Sequence, residues 1–155
     1  MTLPDIQIRQ LTRHDLKTFQ KLILLFQDVF EEDRQDLPDP DYLTSLLARP
    51  DFQVFVVTQK QHLLGGVTAY ELRKYTAQVS ELYIYDLAIR AEFQRHGLGK
   101  QLIRSLREHN QRKGITEMFV AAHAEDRGAV DFYEAIGGET EAVMHFSFDE
   151  DAPIH

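Results

Sequence analysis

The stretch Tyr83–Leu102, YIYDLAIRAEFQRHGLGKQL, constrains this chain more than any other. A β-rich run, Val79–Arg90, passes through the short segment Ala91–Phe93 into Gln94-Arg95-His96-Gly97-Leu98-Gly99. An amphipathic helix opens there and is expected over Gly97–Arg112, with Leu98, Leu102, Ile103 and Leu106 on one face and Gly114 as its C-cap. A second β-rich run, Glu117–Ala122, follows. Strand, helix and strand in this order form a crossover between parallel strands.

The flanking elements fit around that unit. Ile6–Leu11 reads as a strand, followed by a helix that Thr12 caps and that carries Leu16, Phe19, Leu22, Ile23, Phe26 and Phe30 at helical spacing. A short helix starts at Asp39-Pro40 and ends near Arg49-Pro50. Phe52–Thr58 and His62–Leu72 read as a hairpin turning at Gln59–Gln61, with a bend or bulge at Gly65-Gly66. Asp126–Ile136 is expected as a helix stopped by Gly137-Gly138, and Glu141–Phe148 as a last strand by its alternation. The order β-α-α-β-β-β-α-β-α-β specifies an α/β fold, a mixed sheet with helices on both faces. No repeat or linker divides it, so residues 1–155 are expected to form one domain.

Bulk properties remove several functions. There is no cysteine, hence no disulfide, thiolate metal site or cysteine-borne acyl intermediate. The seven histidines show no metal-ligand spacing, so no metal is expected. A net charge of −8 argues against nucleic acid as a partner. It suits a cationic small molecule as readily as it suits plain solubility. The longest apolar run, Leu22–Phe26, is far short of a membrane span, and no secretory signal is visible. A cytoplasmic location is the expectation.

The Gln94–Gly99 loop offers a helix N-terminus, whose free N–H groups and dipole favour a phosphate. Gly97 and Gly99 permit close backbone approach, and Arg95 adds charge. Glycines at such a junction can equally serve only the turn. Neither the GxGxxG nor the Walker A pattern is present.

Gln94-Arg95-His96-Gly97-Leu98-Gly99 resembles the Q/R-x-x-G-x-G/A signature of the GNAT acetyltransferases. Ala129-Val130-Asp131-Phe132-Tyr133-Glu134-Ala135-Ile136-Gly137 is similar to that family's A-x-x-x-Y-x-x-x-G helix. Three further strings resemble the aminoglycoside 3-N-acetyltransferases: Ser80–Ala88 (SELYIYDLA), Asp39-x-Asp41-Tyr42-Leu43 and Glu141–Phe146 (EAVMHF). The resemblance implies a GNAT fold, acetyl-CoA as co-substrate and transfer of acetyl to an amine of the deoxystreptamine ring. Relatives of this kind often form homodimers.

It also implies roles. The backbone of Leu87, Ala88 and Ile89 would hold the acetyl carbonyl and pantetheine arm, and Gln94, Arg95, His96, Gly97, Leu98, Gly99 and Lys100 the pyrophosphate. Asp86 would take the amine's proton; otherwise it is a solvated strand residue. Tyr133 would assist the leaving thiolate; otherwise it is a core aromatic. Glu81 and Tyr83 are further substrate candidates, although simple alternation puts Glu81 on the face opposite Asp86 unless a β-bulge intervenes. Glu32 and Asp33 belong to an acidic stretch, residues 28–41, that borders the acceptor cleft in this fold or is merely solvated. Asp126 is either a substrate contact or the N-cap of its helix, with the cap preferred. Two rivals stand beside this reading: an acetyltransferase for another small amine or a protein N-terminus, and a non-catalytic CoA-binding regulator.

Overall fold

The computed structural model describes residues 3–155, which group into two compact units divided after Ala121. The first unit contains five strands in the order β1-β2-β3-β4-β5: Ile6–Gln10, Phe52–Gln59, His62–Arg73, Ser80–Ile89 and Ile115–Val120. The first four pair antiparallel; β4 and β5 pair parallel through the crossover helix. Helices α1 (Leu16–Val29), α2 (Pro40–Leu47) and α3 (Leu98–Asn110) complete this unit.

Strand alternation sorts the core into two layers. Val54 and Val56 of β2 pack with Phe19, Leu22, Leu25 and Phe26 of α1 and Leu43 and Leu47 of α2. Phe55 and Val57 pack on the other side, with Leu98, Leu102 and Leu106 of α3. A period of two on the strand against about 3.6 on each helix places α1 and α2 on one face and α3 on the other.

Local chemistry sets several boundaries away from their expected places. Thr12 does not cap α1. Its hydroxyl accepts from His14 N–H at 3.2 Å, and its own N–H donates to Asp15 Oδ2 at 2.8 Å. Residues 12–15 thus form a turn, and Asp15 becomes the N-cap. At α2, Pro40 opens the helix as expected, and Asp39 caps it by accepting from Asp41 N–H at 2.8 Å. The β2–β3 hairpin turns at Lys60 and Gln61, both with positive φ (47° and 72°), as the right-handed twist of the strands requires. Gly114 is not the C-cap of α3; the helix ends at Asn110 with Gln111 as cap.

Gly65-Gly66 serves close approach instead of a bend. A Cβ at Gly65 would collide with the Ala88 carbonyl, and one at Gly66 would lie 2.7 Å from a Leu22 methyl. The bulge falls one residue earlier, where Val57 pairs with Gly65 but Thr58 with Leu63, leaving Leu64 as the extra residue.

The second unit carries α4 (Arg127–Ala135). Gly137 (φ 105°) follows its end, with Gly138 N–H donating to Tyr133 O at 2.8 Å and Gly137 N–H to Glu134 O at 3.1 Å, a Schellman stop. The strand expected over Glu141–Phe148 does not form among the described residues: it pairs with no ladder, and Val143, Met144, Phe146 and Phe148 are exposed. Alternation supplies a face to bury, but a strand also needs a hydrogen-bonded edge to receive it.

Candidate active site

Strand β4 holds the candidate residues, and one irregularity decides where they point. Thr68 pairs with Asp86 but Ala69 with Ile84, so Tyr85 is an extra residue in β4. Leu82 and Ile84 lie in the α3-side core, and so do Leu87 and Ile89. The parity of the strand therefore flips at Tyr85. Glu81 and Tyr83 before the bulge, and Asp86 after it, all turn toward the α1–α2 face. Unbroken alternation would have separated Glu81 from Asp86; the bulge brings them to one side.

Asp86 is half-buried, and burial raises its carboxyl pKa; the negative charge of Glu32 raises it further. Its N–H donates to the hydroxyl of Thr68 at 3.1 Å. A chain of aromatic rings runs along this part of the sheet, and the charge of Asp86 acts on one of them, Tyr70. Tyr70 meets Phe52 at 4.9 Å between centroids and Tyr85 at 5.8 Å. Tyr85 meets Tyr83 at 6.0 Å, and Tyr83 stacks on Phe119 at 4.9 Å. The Tyr70 hydroxyl has a raised pKa, from burial and then from the phenols of Tyr85 and Tyr42. Tyr70, Tyr42 and Thr68 thus join a site that sequence reading had centred on Asp86. Strand register, which alternation does not reveal, places Thr68 and Tyr70 there, and Tyr42 comes from the first turn of α2. Glu81 has a competing partner, Lys74, whose ammonium lies 3.6 Å away.

The end of α1 positions Glu32. Glu32 N–H donates to Gln27 O at 2.9 Å and Glu31 N–H to Asp28 O at 3.3 Å, with Glu31 at φ 55°. This is a Schellman geometry with glutamate where glycine is usual. The buried side chain of Gln27 accepts from Gln35 N–H at 3.3 Å, tying down the rest of the loop. Elsewhere in the acidic stretch, Asp28 pairs with Arg34 at 3.0 Å. Asp33, next to Glu32, is exposed.

The other edge of β4 is open at its C-terminal end. Pairing with β5 stops at Ile84–Val120, whereas pairing with β3 continues to Ile89. Arg90 N–H donates to Leu64 O at 2.8 Å. By the alternation of an antiparallel ladder, the N–H and C=O of Leu87 and Ile89 then point away from β3, into the splay. Those of Ala88 point toward β3. The Ile89 carbonyl already accepts from Gln94 Nε2 at 2.9 Å.

Beyond Ile89 the chain passes Ala91–Phe93, a 3₁₀ turn, and winds through two left-handed positions, Arg95 (φ 65°) and Gly97 (φ 78°). Gly97 is the N-cap of α3 and supplies no side-chain cap. The first bond of the helix runs from Gln101 N–H to Gly97 O at 3.0 Å. The N–H groups of Leu98, Gly99 and Lys100 precede that bond and have no acceptor within the helix. A Cβ at Gly97 would meet nothing within 4 Å, so the loop faces open space. Leu98 and Gly99 are buried; Arg95 and Lys100 are exposed and His96 is half-buried.

A cleft of about 790 Å³ between α1 and the β2–β3 hairpin is lined by Arg9, Lys21, Asp28, Arg34 and Arg90 among others, and does not include Asp86. In the second unit, Asp126 caps α4 by accepting from Ala129 N–H at 3.1 Å, in line with the cap preferred from sequence. Tyr133 is half-buried on α4, its ring 5.0 Å from that of Phe132. Among the described residues no cluster of three or more His, Asp or Glu could hold a metal, and no helix is long and apolar enough to cross a membrane.

Residues 19–137 match the model of the acetyltransferase (GNAT) family. The chain belongs to that family. As a GNAT protein it is an N-acetyltransferase, and its mixed sheet flanked by helices is the expected fold. It is similar to an aminoglycoside acetyltransferase from an uncultured soil metagenomic sample, solved with sisomicin: 37% identity, covering 94% of this chain and 96% of that one, TM-score 0.91. A second soil metagenomic aminoglycoside acetyltransferase is 30% identical over 93% of this chain and 97% of that one, TM-score 0.86. The GNAT chain also matches a ribosomal protein bS18-alanine N-acetyltransferase of Salmonella typhimurium, 27% identical over 59 residues. That match spans 38% of this chain and 40% of the curated relative. An AAC(6′) enzyme solved with a CoA bisubstrate analogue shares the fold at 20% identity over 93% of this chain and 98% of that one, TM-score 0.75.

Proposed function

We propose that this GNAT protein acetylates aminoglycosides, using acetyl-CoA and acting on an amine of the 2-deoxystreptamine ring. The observation that carries this reading is Asp86: a half-buried carboxylate, bordered by Glu32 and by tyrosine rings, beside the open edge of β4. Likeness over nearly the whole chain to an aminoglycoside acetyltransferase solved with sisomicin supports it. An aminosugar presents cationic nitrogens on a ring with apolar C–H faces. Carboxylates satisfy the former and tyrosine faces the latter. Resistance to these antibiotics is the physiological consequence of such an activity.

In this reading the main chain of Leu87 and Ile89 holds the pantetheine arm in the splay, with Ala88 between them. The pyrophosphate rests on the loop from Gln94 through Arg95, His96, Gly97, Leu98 and Gly99 to Lys100, where helix N–H groups and two cations favour it. Glu32, Asp33, Glu81 and Tyr83 attract and orient the acceptor. Asp126 is left to its cap. The amine loses a proton to Asp86, directly or through water, and its lone pair attacks the thioester carbonyl. The C–S bond breaks, and the nitrogen sheds its second proton to solvent. The thiolate takes up a proton; the family resemblance gives the donor role to the Tyr133 hydroxyl, which recovers its own proton from solvent. No metal enters the scheme. The protein is expected to work in the cytoplasm, alone or as a homodimer.

The test is incubation with acetyl-CoA and a panel of sisomicin, gentamicin, neamine, a polyamine and an alanine-terminated peptide. Mass spectrometry reads the products, and NMR locates the new amide. Acetylation at the 3-amine supports the full reading. Acetylation at the 6′-amine keeps the substrate class and overturns the position. Product from the peptide alone overturns the substrate class. Asp86→Asn should lower turnover by about 10²–10⁴-fold while acetyl-CoA affinity stays unchanged.

A further inference from the structure

Strand β4 can present Asp86 to the acceptor face only because it carries one residue too many. Ile84 and Leu87, three apart, both belong to the α3-side core. In a regular strand residues three apart lie on opposite faces. Without the extra residue, Asp86 would point into the layer of Val67, Leu98 and Leu102, where a carboxylate would be buried without a partner. Something must hold the strand in this irregular register, because a bulge disrupts the ladder locally.

Thr68 stands directly opposite. It pairs with Asp86 across the strands, is only 6% exposed, and accepts the Asp86 N–H on its hydroxyl oxygen at 3.1 Å. Its neighbours Val67 and Ala69 belong to the α3-side core, so Thr68 itself faces α1 and α2. A β-branched side chain has few χ1 choices in a strand, so the oxygen is held in place.

We propose that Thr68 is the positioning residue of the acceptor site: its hydroxyl oxygen, by accepting the Asp86 N–H, fixes the Tyr85 bulge and so turns Asp86 to the acceptor face. The functional half of this inference rests on Asp86 acting in acetyl transfer; the structural half does not. Thr68 touches neither substrate in this scheme and acts through Asp86. Valine has the same shape without the acceptor, and serine has the acceptor without the methyl.

The experiment compares Thr68→Val and Thr68→Ser in the full chain. Amide hydrogen exchange at Asp86, read by ¹⁵N NMR, should accelerate by about 2- to 13-fold in Thr68→Val, the factor that a lost hydrogen bond of ordinary strength is worth. Turnover on sisomicin should fall by about 10- to 100-fold, as small misplacements near a reacting group do. Acetyl-CoA affinity should stay within about twofold, because Leu87, Ile89 and the Gln94–Lys100 loop are untouched. Thr68→Ser should restore both exchange protection and turnover. Unchanged Asp86 protection in Thr68→Val, or equal losses in Thr68→Val and Thr68→Ser, would overturn the proposal. Should Thr68→Val not fold, Thr68→Ala against Thr68→Ser makes the same comparison. If the wild type acetylates no aminoglycoside, the function proposed above fails, yet the exchange data still decide whether Thr68 holds the bulge.

Discussion

Glu32, just beyond the end of α1, and Asp86, on β4, are 54 positions apart in the chain, and the fold brings their carboxylates close enough for the first to raise the pKa of the second. Burial contributes most of the shift and Glu32 adds to it. A base works only when deprotonated, so the acidic limb of the pH–rate profile should lie above the ordinary carboxylate range. Glu32→Gln removes the repulsion and should move that limb to lower pH, while weakening attraction for a cationic acceptor. A pH–kcat/KM series on both proteins checks this; coincident limbs would uncouple the two residues.

The same shift has a consequence for stability. A carboxyl whose pKa is raised by folding contributes stability below its unfolded value, and that contribution is lost as pH rises through the folded value. At neutral pH the Asp86 carboxylate is therefore a burden on the fold. Asp86→Asn should leave the melting temperature equal or higher at pH 7, and the gain should vanish near pH 4. A melting temperature several degrees lower at pH 7 would mean that Asp86 is a structural residue.

At the phosphate loop, conformation and space make separable demands. Gly97 has φ 78°, yet a Cβ there meets nothing within 4 Å. Asparagine tolerates this left-handed region far better than glutamate does. Gly97→Asn should keep the loop and most of the CoA affinity. Gly97→Glu adds backbone strain of about 1–2 kcal/mol and a negative charge beside the pyrophosphate, and should abolish detectable binding by calorimetry. Equal affinities for the two variants would remove the loop from the CoA site.

How much of this was legible beforehand depended on range. Most motifs that are local in sequence read through: Pro40 opens α2, Asp126 caps α4, Gly137-Gly138 stops α4, and Gln94–Gly99 opens α3. Two local expectations did not, because Asp15 replaces Thr12 as the cap of α1 and α3 ends at Asn110, short of Gly114. Relations that depend on strand register did not read through either. The extra residue at Tyr85 is invisible in a string of β-formers, because Tyr, Ile, Tyr and Leu suit either parity. Alternation alone leaves Glu81 opposite Asp86 unless a bulge intervenes, and it gives no sign of the pairing between Thr68 and Asp86. The last strand failed for a related reason: Val143–Phe148 alternates well, but alternation cannot name the edge that would receive it.

The α3 layer contains one polar pair whose disruption has a calculable direction. Gln53 and Asn110, each 1% exposed, exchange amide hydrogen bonds of 2.8 Å in both directions, and Asn110 also donates to Leu106 O at 2.7 Å. Truncating one partner strands the other. Asn110→Ala should cost about 1–3 kcal/mol for the unpaired amide, plus a cavity. The double variant Gln53→Met/Asn110→Leu removes both polar groups and should cost less than the sum of the two single changes. Additive losses in urea denaturation would show that the pair is not coupled.

Glu31 closes the end of α1 at a conformational cost. It occupies the left-handed C′ position of the α1 cap, at φ 55°, where a side chain is disfavoured by about 1–2 kcal/mol. Glycine would relieve that strain, but it also adds freedom to the unfolded chain, worth about 0.5–1 kcal/mol against folding. The balance favours Glu31→Gly by a few tenths to about 1 kcal/mol. The urea midpoint should rise with an unchanged m-value. The Glu32 N–H bond to Gln27 O does not depend on the Glu31 side chain, so Glu32 should stay in place and acetylation should be unaffected. Glu31→Val, with a β-branched side chain in the same backbone region, should shift the midpoint the other way. If glycine and valine shift it in the same direction, backbone strain at Glu31 does not limit the stability of this cap.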